Sequence, residues 1–161
     1  LDEPLAALDP NLRGRLRAEL KALQRSTGIT FLFITHDREE ALSMSDQVAV
    51  MNAGRIEQMA APEVAYRQPA NRFVAEFLGP VNWFGSVGVR PERTRLSPVP
   101  AGQALHCRVE SLLFLGNAIH VHVSLDNGAK VTSEVPSAGN AFREGDEAWL
   151  SWEPPDELRL P

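Results

Sequence analysis

Two acidic residues and a histidine follow apolar residues in the sequence, at positions where buried strands would end. Asp2 and Glu3 are adjacent carboxylates that follow Leu1, and His36 comes shortly after the nearly all-apolar run 29–34. In open α/β sheets, ligands bind at the carboxyl ends of the strands. One carboxylate there can hold Mg²⁺ through water while the next polarises an attacking water, and an imidazole can hydrogen-bond a phosphate oxygen.

Each of these residues also has a purely structural interpretation. Asp2 and Glu3 suit the acidic N-terminus of a helix, and a single histidine such as His36 is often a capping or core residue. The combination favours a site, because a right-handed crossover between parallel strands brings both strand ends to one edge of a sheet. We therefore expect a site made from two segments that are far apart in the sequence.

Residues 1–79 contain the elements that would position such a site. Asp9 is a good N-cap, Pro10 fits the first helical position, and Gly28 supplies a left-handed stop. Between them, leucines recur on one helical face: Leu12, Leu16, Leu20 and Leu23. The run 29–34 predicts a strand buried on both faces, as in a parallel sheet, and a helix followed by such a strand is half of a βαβ unit.

The stretch after His36 predicts shorter elements. Asp37 can cap a helix, with Glu40 in the position of a capping-box partner. A hairpin is predicted around Gly54, and short helices are predicted to begin at Pro62 and Asn71.

Residues 80–161 are richer in short, strand-like segments separated by Gly and Pro. Asp126-Asn127-Gly128 is a strong hairpin signal within them. The predicted strands fit a small barrel or sandwich, and the clearest of them are 105–114, 118–125, 130–135 and 147–152. His120 and His122 alternate on one strand face and could chelate a metal, although no third ligand has a suitable spacing.

The overall composition limits the classes of function. A formal net charge of −5 argues against a broad nucleic-acid-binding surface. A single cysteine, Cys107, excludes an intramolecular disulfide and fits a reducing compartment. No apolar run approaches the roughly 20 residues of a membrane span. Because the sequence opens abruptly at Leu1, we expect it to be the C-terminal piece of something longer.

The segments together resemble ABC transporter ATPase subunits. Residues 1–9 are similar to the end of the Walker B motif and the D-loop, and residues 34–42 are similar to the H-loop. Residues 69–79 resemble the junction to a transport-associated OB (TOBE) domain, which residues 89–92 and 145–152 also resemble. The resemblance implies an α/β fold for 1–79, as the C-terminal part of a P-loop NTPase domain. It implies an all-β, OB-like regulatory barrel for 80–161.

The resemblance also implies roles for individual residues. Asp2 would bind Mg²⁺, mostly through water, and Glu3 would be the general base for the water that attacks the γ-phosphate of ATP. His36 would contact that γ-phosphate. Asp9 would be the D-loop aspartate, which contacts the nucleotide site of the partner subunit. The implied cofactors are ATP and Mg²⁺.

The function implied by the resemblance is ATP hydrolysis coupled to solute uptake through a membrane permease. The subunit would work as a homodimer, peripheral at the cytoplasmic face of the bacterial inner membrane, with a solute-binding protein as an indirect partner. Residues 109–117 and 145–152 look most like polyamine-type importers, with iron, sulfate and sugar importers also open.

The sequence printed here lacks other motifs that hydrolysis needs. Neither Lys21 nor Lys130 follows a glycine, and no two glycines are adjacent, so the Walker A and signature motifs are absent. We therefore expect this chain alone to be inactive. The alternative is a stand-alone regulatory or ligand-binding OB-like module with a vestigial ATPase remnant.

Overall fold

The computed structural model describes residue 3 and residues 9–100 and 102–160. The chain divides into two compact units at the peptide bond between Leu78 and Gly79. The boundary predicted from the sequence, between Gly79 and Pro80, lies one residue later. No helix in the part of the chain that the structure describes is long and apolar enough to cross a membrane.

The longest helix among the described residues of the first unit is α1, which spans Pro10–Thr27. Asp9 caps it, because its Oδ1 accepts a hydrogen bond of 3.0 Å from the Leu12 N–H. Gly28 ends it with a φ of 67°, a left-handed conformation that glycine adopts without strain. The predicted limits of this helix are therefore those of the structure.

The predicted buried strand 29–34 is wrong. The segment has no regular structure beyond a single bridge at Ile34, and Ile29, Leu32 and Ile34 are more than half exposed. A strand forms only where a neighbour satisfies its backbone N–H and C=O groups. Among the described residues, the Glu3 N–H supplies one such bond to Ile34. The expected α/β architecture of residues 1–79 is accordingly not formed by the described residues, whose sheets are all antiparallel.

The rest of the first unit consists of short helices and a hairpin. The elements in chain order are α2 Arg38–Met44, β1 Val48–Asn52, β2 Arg55–Ala60, α3 Pro62–Arg67 and α4 Arg72–Leu78. Strands β1 and β2 pair antiparallel around Ala53 and Gly54, which both have positive φ values. The small apolar core of the first unit consists of Val48, Val50, Ala65, Val74 and Leu78.

The second unit is all-β, with two 3-10 turns. Its strands are β3 Asn82–Phe84, β4 Val87–Val89, β5 Arg95–Ser97, β6 Leu105–Phe114, β7 Ala118–Leu125, β8 Lys130–Pro136, β9 Glu147–Ser151 and β10 Glu157–Arg159. They form a five-stranded sheet in the order β5-β9-β6-β7-β8 and a three-stranded sheet in the order β10-β4-β3. The strands and the hairpin predicted after residue 104 are confirmed, and the mostly-β, OB-like character is as expected.

Alternation along the strands builds the core of this unit. Strand β7 alternates strictly between partly exposed and buried positions, as expected for a sheet with one packed face. The buried apolar cluster consists of Cys107, Val109, Ile119, Val121, Val123, Leu125, Val131, Ala148 and Leu150. Burial raises the pKa of the Cys107 thiol to about 11, so this cysteine is a core residue rather than a nucleophile.

A charged contact joins β6 to its neighbours on the outer surface. The His106 Nδ1 lies 2.7 Å from Asp126 Oδ1, and its Nε2 lies 2.8 Å from Glu147 Oε2. Both ring nitrogens can donate to these carboxylates only when the imidazole is protonated. The pKa of His106 is raised above its ordinary value, chiefly by the hydrogen bond to Asp126.

This contact predicts a pH dependence of stability. Because the folded-state pKa of His106 is raised, its stabilisation is fully present below the unfolded pKa of about 6.5 and is lost as the pH rises through the folded value. His106→Gln should therefore lower Tm more at about pH 6 than at about pH 9. Asp126→Asn should reduce the same difference. Equal losses of Tm at both pH values would contradict this account, and thermal unfolding followed by circular dichroism measures it.

The separate cores predict separate folding behaviour. Residues 80–161 contain two antiparallel sheets and a buried apolar cluster, whereas the first unit leaves Ile29, Leu32 and Ile34 exposed. We expect residues 80–161 alone to be soluble and to unfold cooperatively in urea. Residues 1–79 alone should aggregate or unfold without a cooperative transition, because exposed apolar surface favours association. A sharp transition for residues 1–79 would contradict this expectation.

Candidate functional site

The structure places Glu3 and His36 in contact. The Glu3 Oε1 lies 2.6 Å from the His36 Nδ1, and the Glu3 N–H donates a hydrogen bond of 2.8 Å to the Ile34 carbonyl. That backbone bond brings together two segments separated by more than thirty positions. Both side chains are largely open to solvent, so a ligand can reach the pair.

Local hydrogen bonds hold the backbone on both sides of His36. It lies between Thr35 and Asp37, and Asp37 is the N-cap of α2 because its Oδ1 accepts from the Glu40 N–H at 3.1 Å. The predicted capping box is only half formed. The Asp37 N–H donates to the Thr35 hydroxyl at 3.0 Å, and the Thr35 hydroxyl donates to Glu40 at 2.8 Å. Thr35 is thus inserted where the Glu40 carboxylate was expected.

The electrostatics of the pair favour a protonated imidazole. The pKa of His36 is raised above its ordinary value, first by the hydrogen bond to the Glu3 carboxylate and then by its charge, with Asp37 and Glu40 adding to the effect. A protonated imidazole is a donor at both nitrogens. With Nδ1 directed at Glu3, the ring can offer its other N–H to an anionic oxygen.

The other two residues predicted for the site, Asp9 and Asp2, are not part of this contact as described. Asp9 uses its carboxylate to cap α1. Asp2 lies outside the described residues, so its predicted role in Mg²⁺ binding stays a prediction. The described site contains one carboxylate and one imidazole, which can contact a water molecule and a phosphate oxygen, respectively. Asp2 would add the oxygen ligand that Mg²⁺ prefers.

Sequence reasoning missed the charges that surround this loop. Arg13 and Arg17 of α1 lie against the acidic residues at the start of α2, with Arg17 Nη1 2.7 Å from Glu39 Oε1. The signal was present, because positions four apart on a helix share a face. The sequence could not indicate which acidic residues that face would meet.

The histidines of β7 have their own partners on β8. His120 Nε2 lies 3.0 Å from Glu134 Oε2, and His122 Nδ1 lies 2.9 Å from Thr132 Oγ1. Within residue 3 and residues 9–100 and 102–160, no group of three or more ligating side chains could hold a metal ion. The two histidines are therefore engaged in cross-strand contacts.

An open hollow of about 350 Å³ lies on the second unit, lined by Glu110, Ser111, His122, Val123, Lys130, Val131 and Thr132. The Lys130 Nζ lies 3.9 Å from a Glu110 carboxylate oxygen. The opposite charges lie side by side, so the lining does not select strongly for an anion or a cation.

Comparisons with known proteins give one family match and several similar relatives. The TOBE domain family matches residues 87–160. The spermidine/putrescine import ATP-binding protein PotA of Pseudomonas fluorescens is 40% identical over 86% of this chain and 46% of its own length. The PotA protein of Bacillus thuringiensis is 41% identical over 99% of this chain and 52% of its own length.

One solved structure, of the cytoplasmic molybdate-binding protein ModG, aligns at 18% identity with a TM-score of 0.42, over 47% of this chain and 60% of that one. A likeness of that size carries no functional argument.

The sequence matches extend well beyond the TOBE region. The PotA proteins match nearly the whole chain, including the segments around Glu3 and His36. The chain spans about half the length of the curated relatives it matches. Over that part of their length, this chain is similar to import ATP-binding proteins, and its residues 87–160 match the TOBE domain family.

Proposed function

We propose that this chain forms the C-terminal part of an ATP-hydrolysing subunit of an ABC importer. The observation that carries the proposal is the contact of 2.6 Å between Glu3 and His36, which joins a candidate base to a candidate phosphate-binding imidazole. The PotA relatives, which are named ATP-binding proteins, support it independently. In this role the subunit couples ATP hydrolysis to solute uptake through a permease.

Within such a site, the described residues divide the work. The Glu3 carboxylate accepts a proton from the attacking water, and the protonated His36 donates to an oxygen of the terminal phosphate. Their mutual hydrogen bond holds the carboxylate and the imidazole next to each other. This lowers the entropic cost of orienting the water and the phosphate together. Mg²⁺, held by Asp2 mostly through water, would neutralise charge on the phosphates of ATP.

Asp9 has a narrower proposed role. Its carboxylate accepts the capping hydrogen bond from the Leu12 N–H at the start of α1. We propose that Asp9 caps α1 and, as the D-loop aspartate, contacts the nucleotide site of the partner subunit.

We further propose a polyamine as the transported solute, on the strength of the spermidine and putrescine named in the relatives. The partners would be permease subunits and a second copy of this subunit, at the cytoplasmic face of the bacterial inner membrane. A solute-binding protein would contribute indirectly. A net charge of −5 supports the expectation that nucleic acid is not a partner.

The alternative, a stand-alone ligand-binding module, has less support. The hollow beside Glu110 and Lys130 is open and its charges are balanced. The PotA proteins also match the first unit as well as the second, and a vestigial remnant would not need to keep Glu3 against His36.

Glu3→Gln in a full-length subunit that contains this chain tests the proposal. The substitution keeps the shape of the side chain but removes the base, so ATP turnover should fall by roughly two to four decades while ATP binding persists. Glu19→Gln, at an exposed position of α1, is the matched control and should leave turnover unchanged. Steady-state phosphate release and nucleotide binding by calorimetry supply the two readouts. Turnover within a few-fold of the parent would exclude Glu3 as the base.

The 161-residue chain itself should neither bind nor hydrolyse Mg-ATP. Its sequence contains no glycine–lysine phosphate loop, and the backbone amides of such a loop supply most of the contacts to the phosphates. Calorimetric titration with Mg-ATP is the measurement, with the full-length subunit as the positive control. Micromolar affinity for the short chain would contradict the assignment.

A further inference from the structure

A cluster of opposite charges surrounds the loop that carries His36. Arg13 and Arg17 stand one turn apart on α1 and reach the first residues of α2. Arg13 Nη1 lies 3.3 Å from Asp37 Oδ2, and Arg17 Nη1 lies 2.7 Å from Glu39 Oε1. The cluster therefore joins the helix that follows Glu3 to the helix that follows His36.

The centre of this cluster is the carboxylate of Glu40. Its side chain is only 5% exposed, and both Arg13 Nε and Arg17 Nη2 approach its Oε1, at 3.9 and 4.0 Å. A carboxylate that has lost its water needs such charges and a hydrogen-bond donor. The pair with Glu39 contributes little, because that glutamate is 80% exposed and solvent screens it.

The same contacts hold both neighbours of His36. The Thr35 hydroxyl donates to Glu40 Oε2 at 2.8 Å and accepts from the Asp37 N–H at 3.0 Å. Asp37 in turn faces the Arg13 guanidinium. The imidazole itself is 76% exposed, so packing does not position it. The backbone between Thr35 and Asp37 determines where the ring stands, and the Glu3 carboxylate contacts its Nδ1 at 2.6 Å.

We propose that Arg13 and Arg17 are positioning residues for His36. By neutralising Glu40 and Asp37, they keep the loop in the conformation that directs the imidazole at Glu3. Neither arginine is required to touch the nucleotide. The expected effect on turnover rests on the proposed function, since it assumes that His36 acts on ATP.

The test is a double-mutant cycle in the full-length subunit. Arg17→Gln should lower kcat for ATP hydrolysis roughly 10- to 100-fold, because a misplaced catalytic group costs about that much. The KM for ATP should stay within about twofold. In a His36→Ala background the same substitution should cost nothing further, because a residue that acts through His36 has no effect once His36 is gone.

Two further variants separate positioning from folding. Arg15→Gln removes the same charge from an exposed position of α1 and should leave kcat unchanged. Arg17→Lys keeps a cation near Glu40 and should recover part of the loss. If Arg17→Gln does not give a folded subunit, Arg13→Gln, at a more exposed position, takes its place in the cycle.

The outcomes distinguish the two proposals. An equal loss of kcat in the parent and in the His36→Ala background would overturn the positioning role and leave the proposed function standing. A His36→Ala subunit with full turnover would instead overturn the role of His36 in the proposed function, and the positioning role with it. Loss in the parent, no loss in the His36→Ala background and partial recovery with lysine would support both.

Discussion

The burial of the Glu40 carboxylate governs how the first unit presents its polar residues. A nearly buried carboxylate is unstable unless cations and hydrogen-bond donors compensate for lost hydration. Arg13 and Arg17 supply the charge and Thr35 supplies the hydroxyl donor. Because Thr35 precedes His36, satisfying this one group also determines the path of the backbone on which the imidazole stands.

Different contacts hold Glu3 in the part of the chain that the structure describes. Its backbone N–H donates to the Ile34 carbonyl, and its carboxylate pairs with His36 in solvent. It also has a positive φ of 42°, which is uncommon for a residue with a side chain. Among the described residues, the candidate base is thus positioned by contacts to Ile34 and His36, whereas Thr35, Asp37 and Glu40 position the loop that carries the imidazole.

The second unit follows a simpler physical rule. Strict alternation in β7 buries one face of the sheet and leaves His120 and His122 to pair with residues of β8 on the other. Its charged contacts, such as His106 with Asp126 and Glu147, join neighbouring strands at the surface. Such contacts stabilise the pairing of the strands.

Local elements were predictable because their determinants are local. The cap at Asp9, the stop at Gly28 and the Asp126-Asn127-Gly128 turn all depend on residues within a few positions of one another. The segment 29–34 was predicted wrongly for the opposite reason. Its composition suits a buried strand, but a strand needs a neighbouring backbone, and the described residues provide one hydrogen bond.

By itself the sequence predicted which groups could do chemistry, among them the Glu3 carboxylate and the His36 imidazole, and it predicted most of the helices and turns around them. Only the tertiary structure decided that these groups touch at 2.6 Å and that Arg13 and Arg17 face Glu40. The physical reason is that a charge is a property of one residue, whereas its partner is chosen by packing between segments far apart in the chain. The burial of Glu40 makes this pairing necessary, because without its arginines the Glu40 carboxylate would be an uncompensated buried charge.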